Sequence, residues 1–270
     1  MDSTEMDMGK QLVLNSLRIE TEKNTGSGFV FSFDIKNNFV PVLVTNRHVL
    51  QGAKFLKLVI PYIKPGIEEE IENFTFIVQN LEEAVIFHPE TSIDLAIVPI
   101  ADLWEQVINN IQTRPQIVCI DEGLIPTDEE IKKIKTIEDI LVVGYPNGIW
   151  DNVNNRPVVR RGITATDYKI DFKGEPKFII DCAIFPGSSG SPVFLASEGM
   201  VSDGFGRYTF YSSPQVKLLG INSAVFIHRA DGQLVETSTN ILTGIPNGLG
   251  IIIKSRKLLD FRKVLSDRLA

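Results

Sequence analysis

Short apolar runs, broken every few positions by glycine, asparagine or proline, set the rhythm of this chain. Gly26-Ser27-Gly28-Phe29-Val30-Phe31-Ser32-Phe33-Asp34 is a glycine turn entering an apolar strand. Asn37-Asn38 makes the turn of a hairpin, and Phe39 to Thr45 returns. Strand-like runs follow at 55–60, 73–77, 84–87 and 93–99, while 11–19 suits a first strand or a short helix. The second half keeps the style, with runs at 140–148, 158–165, 178–183, 193–195, 216–225 and 248–253. Many short strands separated by turn residues describe a barrel or sandwich, so an all-β fold is expected.

Helical spacing interrupts this pattern in three places. Leu103, Val107 and Ile111 fall on one face of 101–111. Thr127-Asp128-Glu129-Glu130 is a capping box and predicts a short helix through Ile134. Ser255 is placed to cap a last helix with the apolar stripe Leu258, Phe261, Leu265 and Leu269. The chain divides accordingly into an N-terminal segment at 1–20, a first β unit at about 21–112, a link at 113–138, a second β unit at about 139–253 and a helix at about 255–268. Two connections look long for a compact unit, 196–215 and 226–247, and long connections beside a cleft often serve recognition.

Composition adds mainly exclusions. A hydrophobic content of 43% supports a real core. Net charge −7, with no run of lysines and arginines, argues against a nucleic-acid partner. No apolar run approaches the length of a membrane span, so no membrane partner is expected. The acidic start, Met1 to Met8, lacks the basic-then-apolar pattern of a secretory signal. The only cysteines are Cys119 and Cys182, so reduced, buried thiols and a cytoplasmic location are expected. No Cys/His spacing suggests a metal site, and no cofactor is expected.

The chemistry gathers at Phe185-Pro186-Gly187-Ser188-Ser189-Gly190-Ser191-Pro192, between two strand-like runs. Glycines on both sides of Ser189 allow a sharp, exposed turn that brings two backbone N–H groups close to a reacting carbonyl. A serine hydroxyl needs an adjacent base oriented by a third group. His48 and Asp94 are the candidates, and they precede Ser189 in the order His, Asp, Ser. His88 and His228 read as loop histidines without a catalytic role.

These residues resemble the trypsin-like (chymotrypsin-fold) serine peptidases, and more narrowly their HtrA-like bacterial branch, over roughly 24–262. Four motifs carry the resemblance: Gly26-Ser27-Gly28-Phe29, Val44-Thr45-Asn46-Arg47-His48-Val49, Asp94-Leu95-Ala96-Ile97, and Asp181-Cys182-Ala183-Ile184 running into Gly187-Ser188-Ser189-Gly190. The resemblance implies two six-stranded antiparallel β-barrels with the site between them. It implies Ser189 as nucleophile, His48 as base, Asp94 as its orienting carboxylate, and the N–H groups of Gly187 and Ser189 as oxyanion hole. Substrate would run along Gly220-Ile221-Asn222. The pocket for the side chain before the cut bond would be floored by Ala183, flanked by Cys182 and Ile184, and would prefer a small or medium apolar group. Ser188 stands where relatives activated by cleavage carry an aspartate that receives the freed N-terminus, so that switch is expected to be missing. With no PDZ domain after the last helix, substrate recruitment falls to the peptidase surface or to a regulatory or recruiting protein partner. The expected activity is that of a serine endopeptidase on polypeptide substrates. The rival expectations are a silent recognition module on the same fold and an esterase with the same triad.

Overall fold

The structure is a computed structural model that describes residues 7–64, 71–111, 115–146, 149–202, 208–233 and 240–268. The first half contains helix α1 (Met8–Asn15) and strands β1 (Ser16–Glu20), β2 (Thr25–Ile35), β3 (Asn38–Thr45), β4 (Leu56–Ile63), β5 (Ile71–Val78), β6 (Ile86–Phe87), β7 (Ala96–Pro99) and β8 (Ile120–Asp121). Between them lie the one-turn helices α2 (Arg47–Leu50) and α3 (Leu81–Ala84), and the longer α4 (Ala101–Ile111). The second half contains α5 (Asp128–Lys133), β9 (Asp139–Gly144), β10 (Val158–Thr164), β11 (Lys177–Asp181), β12 (Pro192–Ser202), β13 (Tyr208–Gln233), β14 (Asn240–Lys254) and α6 (Phe261–Arg268).

The β2–β3 hairpin sets the first half. Lys36 and Asn37 both take positive φ, 52° and 63°, which is the two-residue turn whose twist matches flanking antiparallel strands. The turn therefore sits one residue earlier than Asn37-Asn38. Alternation then sorts β2 and β3 between two cores. Phe29, Phe31, Phe33, Val42 and Val44 face a core shared with Phe194, Ile221 and Ile253 of the second half and with Phe261 and Leu265 of α6. Val30 and Leu43 face the first half's own interior, beside Leu17, Ile19, Leu56 and Leu58. Each fully buried large apolar side chain contributes about 1.5–3 kcal/mol, so this shared core joins the halves strongly.

One of the two expected six-stranded barrels is closed. β9 to β14 close in the order β10-β11-β14-β13-β12-β9, around Ile140, Val142, Phe178, Ile180, Val193, Leu219 and Ile252. The first half instead forms an open sheet of eight strands, ordered β5-β4-β1-β2-β3-β7-β6, with β8 alongside β2. The reason is local. β6 is only two residues long, and β5 leaves most of its side chains in contact with solvent, so neither edge offers a partner to the other. Helix α4 packs on β3 and β5 and inserts Leu103 and Val107, both fully buried, into that interior.

Three further expectations change. The long connections at 196–215 and 226–247 are largely strand: β12 and β13 pair out to Ser202↔Tyr208, and β13 and β14 out to Gln233↔Asn240. Residues 203–207 and 234–239 within them lie outside the described residues. Ser255 does not cap a helix; it is buried inside a 3-10 turn, Ser255–Asp260, that leads into α6. Leu269 of the expected stripe lies outside the described residues. The run 84–87 splits into the end of α3 and the short β6. The Thr127–Glu130 capping box forms as read.

Candidate active site

His48 and Asp94 come from adjacent strands of the open sheet. β3 ends at Thr45, and the next turn is α2, which carries His48 outward. Asp94 lies just before β7, which pairs with β3 from Thr45↔Ala96 onward. That register places the two side chains together. His48 Nδ1 lies 2.7 Å from Asp94 Oδ2, and the His48 backbone N–H donates to Asp94 Oδ1 at 3.0 Å. Asn46, fully buried, fixes the aspartate's backbone by donating its side-chain N–H to Asp94 O at 2.8 Å. The pair is only partly covered, with the histidine side chain 49% and the aspartate side chain 27% exposed. Burial pushes the Asp94 carboxyl up. Donation and charge from His48, with a hydrogen bond from Ser223, outweigh burial and hold it below the usual aspartate range.

Ser189 comes from the barrel, on the turn between β11 and β12, and is half-buried. Both neighbouring glycines of the motif take φ of +86°, Gly187 and Gly190, which a side chain would strain. Gly190 has no room either: a Cβ there would sit 2.0 Å from Ser27 O and 2.4 Å from Thr45 Oγ1. The turn is held almost wholly through its backbone. Ser27 of β2 donates its N–H to Ser189 O (2.8 Å) and its Oγ to Gly187 O (3.0 Å). Asn222 of β13 donates its amide to Ser188 O (2.9 Å) and accepts from Gly190 N–H (2.8 Å). Among the described residues, the N–H groups of Gly187 and Ser189 donate to no protein acceptor, and His48 Nε2 has no partner. One acceptor held by the two N–H groups, beside a hydroxyl and an imidazole Nε2, is what attack on a carbonyl requires.

The remaining candidates separate. Ala183 is exposed. Ile184 is buried in the barrel core, with Cys182 beside it. Gly220, Ile221 and Asn222 face inward: Ile221 is fully buried, Asn222 holds the Ser189 turn, and a Cβ on Gly220 would strike Ile253 O. None of those three has a surface to offer a substrate. A register shift between Asn222 and Ala224 re-aims the strand, and Ala224 is the exposed position. Both cysteines are unpaired, Cys182 buried and Cys119 partly so. His88 is buried against α6, its ring 5.2 Å from that of Phe261, with Nε2 3.1 Å from Lys257 O. His228 lies on β13.

Sequence reading missed Ser223 as a site residue and missed the bracing roles of Ser27 and Asn222. Ser223 donates its hydroxyl to Asp94 Oδ2 at 2.8 Å, so the carboxylate accepts from both halves of the molecule. Ser27 and Asn222 brace the Ser189 turn from opposite sides. Ser27 lies inside the Gly26–Phe29 motif and Asn222 in the strand expected to line the substrate, so both positions carried a signal, though not for this role; Ser223 carried none. Among the described residues no three His, Cys, Asp or Glu side chains gather to hold a metal ion.

The sequence profile of the trypsin-like peptidase domain matches residues 26–201. No curated protein matches the chain. Solved structures that it resembles include the Rv3671c protease of M. tuberculosis H37Rv in an inactive form, at 15% identity, with 94% of this chain and 90% of that one covered and a TM-score of 0.46. A scabies mite inactivated protease paralogue gives 12% identity, 98% coverage of both chains and a TM-score of 0.49. HL collagenase gives 15% identity, 96% and 95% coverage, and a TM-score of 0.48. Similarity this distant says nothing of activity.

Proposed function

The chain belongs to the trypsin-like peptidase domain family, and we propose that it is a serine endopeptidase acting through His48, Asp94 and Ser189. The observation that carries the proposal is the 2.7 Å pairing of His48 Nδ1 with Asp94, which is bonded to the barrel through Ser223, in a chain whose glycine-framed Ser189 turn leaves two N–H groups undonated. Ser189 Oγ attacks the scissile carbonyl carbon and passes its proton to His48 Nε2. The developing oxyanion is received by the N–H groups of Gly187 and Ser189. Collapse breaks the C–N bond, and His48 hands its proton to the leaving amine. Water then adds to the acyl-enzyme by the same route, releasing the acid and restoring the Ser189 hydroxyl. Asp94 keeps Nδ1 protonated, so that Nε2 is the basic nitrogen, and stabilises the imidazolium.

The substrate strand meets β13 at Ala224, the exposed position after the register shift, in place of the interior Gly220 to Asn222. The side chain before the cut bond is small or medium and apolar. Ala183 supplies no carboxylate to receive a cation, and a desolvated charge without a partner loses several kcal/mol. The finer placement among HtrA-like peptidases rests on the four sequence motifs. The substrate is a polypeptide in the cytoplasm, recruited by the peptidase surface itself or by a protein partner.

A fluorophosphonate probe tests the reading. The purified protein is expected to take up one label, and Ser189→Ala and His48→Ala, still folded by circular dichroism, none. Peptide hydrolysis should fall with the label. A folded wild-type protein that resists the probe would make the chain a recognition module; equal turnover by Ser189→Ala would remove the assignment.

A further inference from the structure

A cation without a counter-charge lies behind the nucleophile turn. Arg160 comes from β10 and is partly buried; its Nη1 donates both to Ala183 O at 2.8 Å and to Ser188 Oγ at 2.9 Å. Nε and Nη2 are fully enclosed and meet no acceptor. Among the described residues it forms no ion pair, burial pushes its ionisation down, and the one titratable group acting on it is the Cys182 thiol. Enclosed N–H groups without acceptors and a charge withdrawn from water both cost stability. Fold stability therefore does not explain this arginine.

What it touches does. Ser188 is fully buried and stands between Gly187 and Ser189, whose N–H groups form the proposed oxyanion hole. The Ser188–Ser189 peptide is fixed through Ser188 O, which accepts from the Asn222 amide and from Ser191 N–H, so the Ser189 N–H is aimed. The Gly187–Ser188 peptide is fixed through Gly187 O, held by Ser27, and Ser188 N–H, held by Phe185 O. Among the described residues, neither group of the Pro186–Gly187 peptide, which carries the Gly187 N–H, has a protein partner. Its direction depends on where the loop's two ends are kept, at Ala183 and at Ser188. Arg160 Nη1 spans those two ends with one nitrogen.

Resting on the serine-peptidase reading, we infer that Arg160 is a positioning residue: it staples Ala183 to Ser188 so that the Gly187 N–H converges with that of Ser189 on the substrate oxyanion. Arg160 touches neither substrate nor reacting atoms. Its effect belongs to the transition state, because a substrate carbonyl in the ground state gains little from the second N–H whereas the oxyanion gains much.

The experiment compares Arg160→Met, Arg160→Lys and Ser188→Ala with the wild type on one peptide substrate. It also measures their affinity for a peptide boronate, which mimics the tetrahedral species, and for the uncleaved peptide bound to each variant in a Ser189→Ala background. Arg160→Met is expected to lower kcat about 10- to 100-fold, within what one oxyanion donor supplies elsewhere. KM should move by less than about 3-fold, and boronate affinity should fall in step with kcat while uncleaved-peptide affinity holds. The melting temperature should not fall, since an enclosed, unpaired charge is being removed. Arg160→Lys should restore part of kcat, and Ser188→Ala should lower it less than Arg160→Met does. Should Arg160→Met fail to fold, the other two variants decide alone. Unchanged kcat and boronate affinity in the folded variants overturn the inference. So does a fall in kcat matched by equal losses in melting temperature and uncleaved-peptide affinity, which marks a merely structural role. A folded wild type that refuses the fluorophosphonate probe overturns instead the reading of the site on which this inference stands.

Discussion

His48 and Asp94 are side chains held by side chains at the rim of an open sheet, whereas Ser189 is held by its backbone on a closed barrel. The first pair remains partly in contact with water and is defined by hydrogen bonds to one carboxylate. The serine turn is half-buried and defined by bonds from Ser27, Asn222 and Gly190 to fixed peptide groups. The difference separates two requirements. An oxyanion hole must be rigid before the reaction, because its donors gain nothing if they must reorient. A base must accept and return a proton, and it needs one fixed tautomer more than a fixed position.

The largest separate effect expected in the open half is that of Asp94→Asn. Asp94 uses Oδ2 for both His48 Nδ1 and Ser223, and Oδ1 for the His48 backbone N–H. An amide must set its NH₂ against one of these donors, so it either imposes the wrong imidazole tautomer or leaves two N–H groups facing each other. In a relative the same change cost about 10⁴-fold in kcat, equivalent to about 5.5 kcal/mol. Stability should respond with a distinct sign. The folded carboxyl is held below its unfolded value, so its contribution is full above the unfolded pKa and is lost as pH falls through the folded one. The stability gap between wild type and variant in urea should therefore shrink on acidification through the aspartate range. A loss of kcat under about 10-fold, or a gap that widens in acid, would contradict this account.

Next in size is a change where the halves meet. Gly190→Ala drives a Cβ onto Ser27 O and Thr45 Oγ1, both of the open sheet, from a barrel residue at φ +86°. Steric and backbone strain together should cost about 3 kcal/mol or more. Gly174, at φ +75° with open space around its Cβ position, isolates the backbone part. Gly174→Ala should cost only about 1 kcal/mol. Chemical denaturation of the two variants decides the point: equal losses would mean that the close approach of the two halves contributes nothing.

How much of this was readable beforehand follows the range of each signal. The nucleophile turn, the capping box and the helix at 101–111 announce themselves within about ten residues. The β2–β3 hairpin did so to within one residue. Closure of the first sheet was not readable, because it turns on whether β6 and β5 present pairing edges, and neither edge has a local signature. Gly220 to Asn222 were assigned to the substrate, yet they lie inside. The register shift after Asn222 changes which face the strand presents, and period-two reading cannot see an inserted residue. Arg160 reads like any polar position in an alternating strand, and its meaning lies in a turn more than twenty residues away.

Ser223 gives the smallest and most discriminating effect, since among the described residues it is the barrel's one hydrogen-bond donor to the Asp94 carboxylate. Ser223→Ala removes one donor from Oδ2 and leaves the 2.7 Å contact with His48 in place. A hydrogen bond to a charged group contributes about 1.5–3 kcal/mol, and partial exposure of Asp94 places the loss at the lower end, since water can replace the hydroxyl. The expected fall in kcat is therefore about 10-fold, far short of that for Asp94→Asn. The Ser223 bond also helps to hold the Asp94 carboxyl low, so its loss should raise that group's pKa in the folded protein. Acid loss of stability should then still begin near the unfolded pKa, but it should be smaller and be complete at higher pH than in the wild type, because the folded carboxyl lies closer to its unfolded value. Titrating the variant by carbonyl-labelled NMR of Asp94 checks the direction. An Asp94 pKa that stays put or drops, with kcat unchanged, would show that the open half holds its carboxylate without help from the barrel.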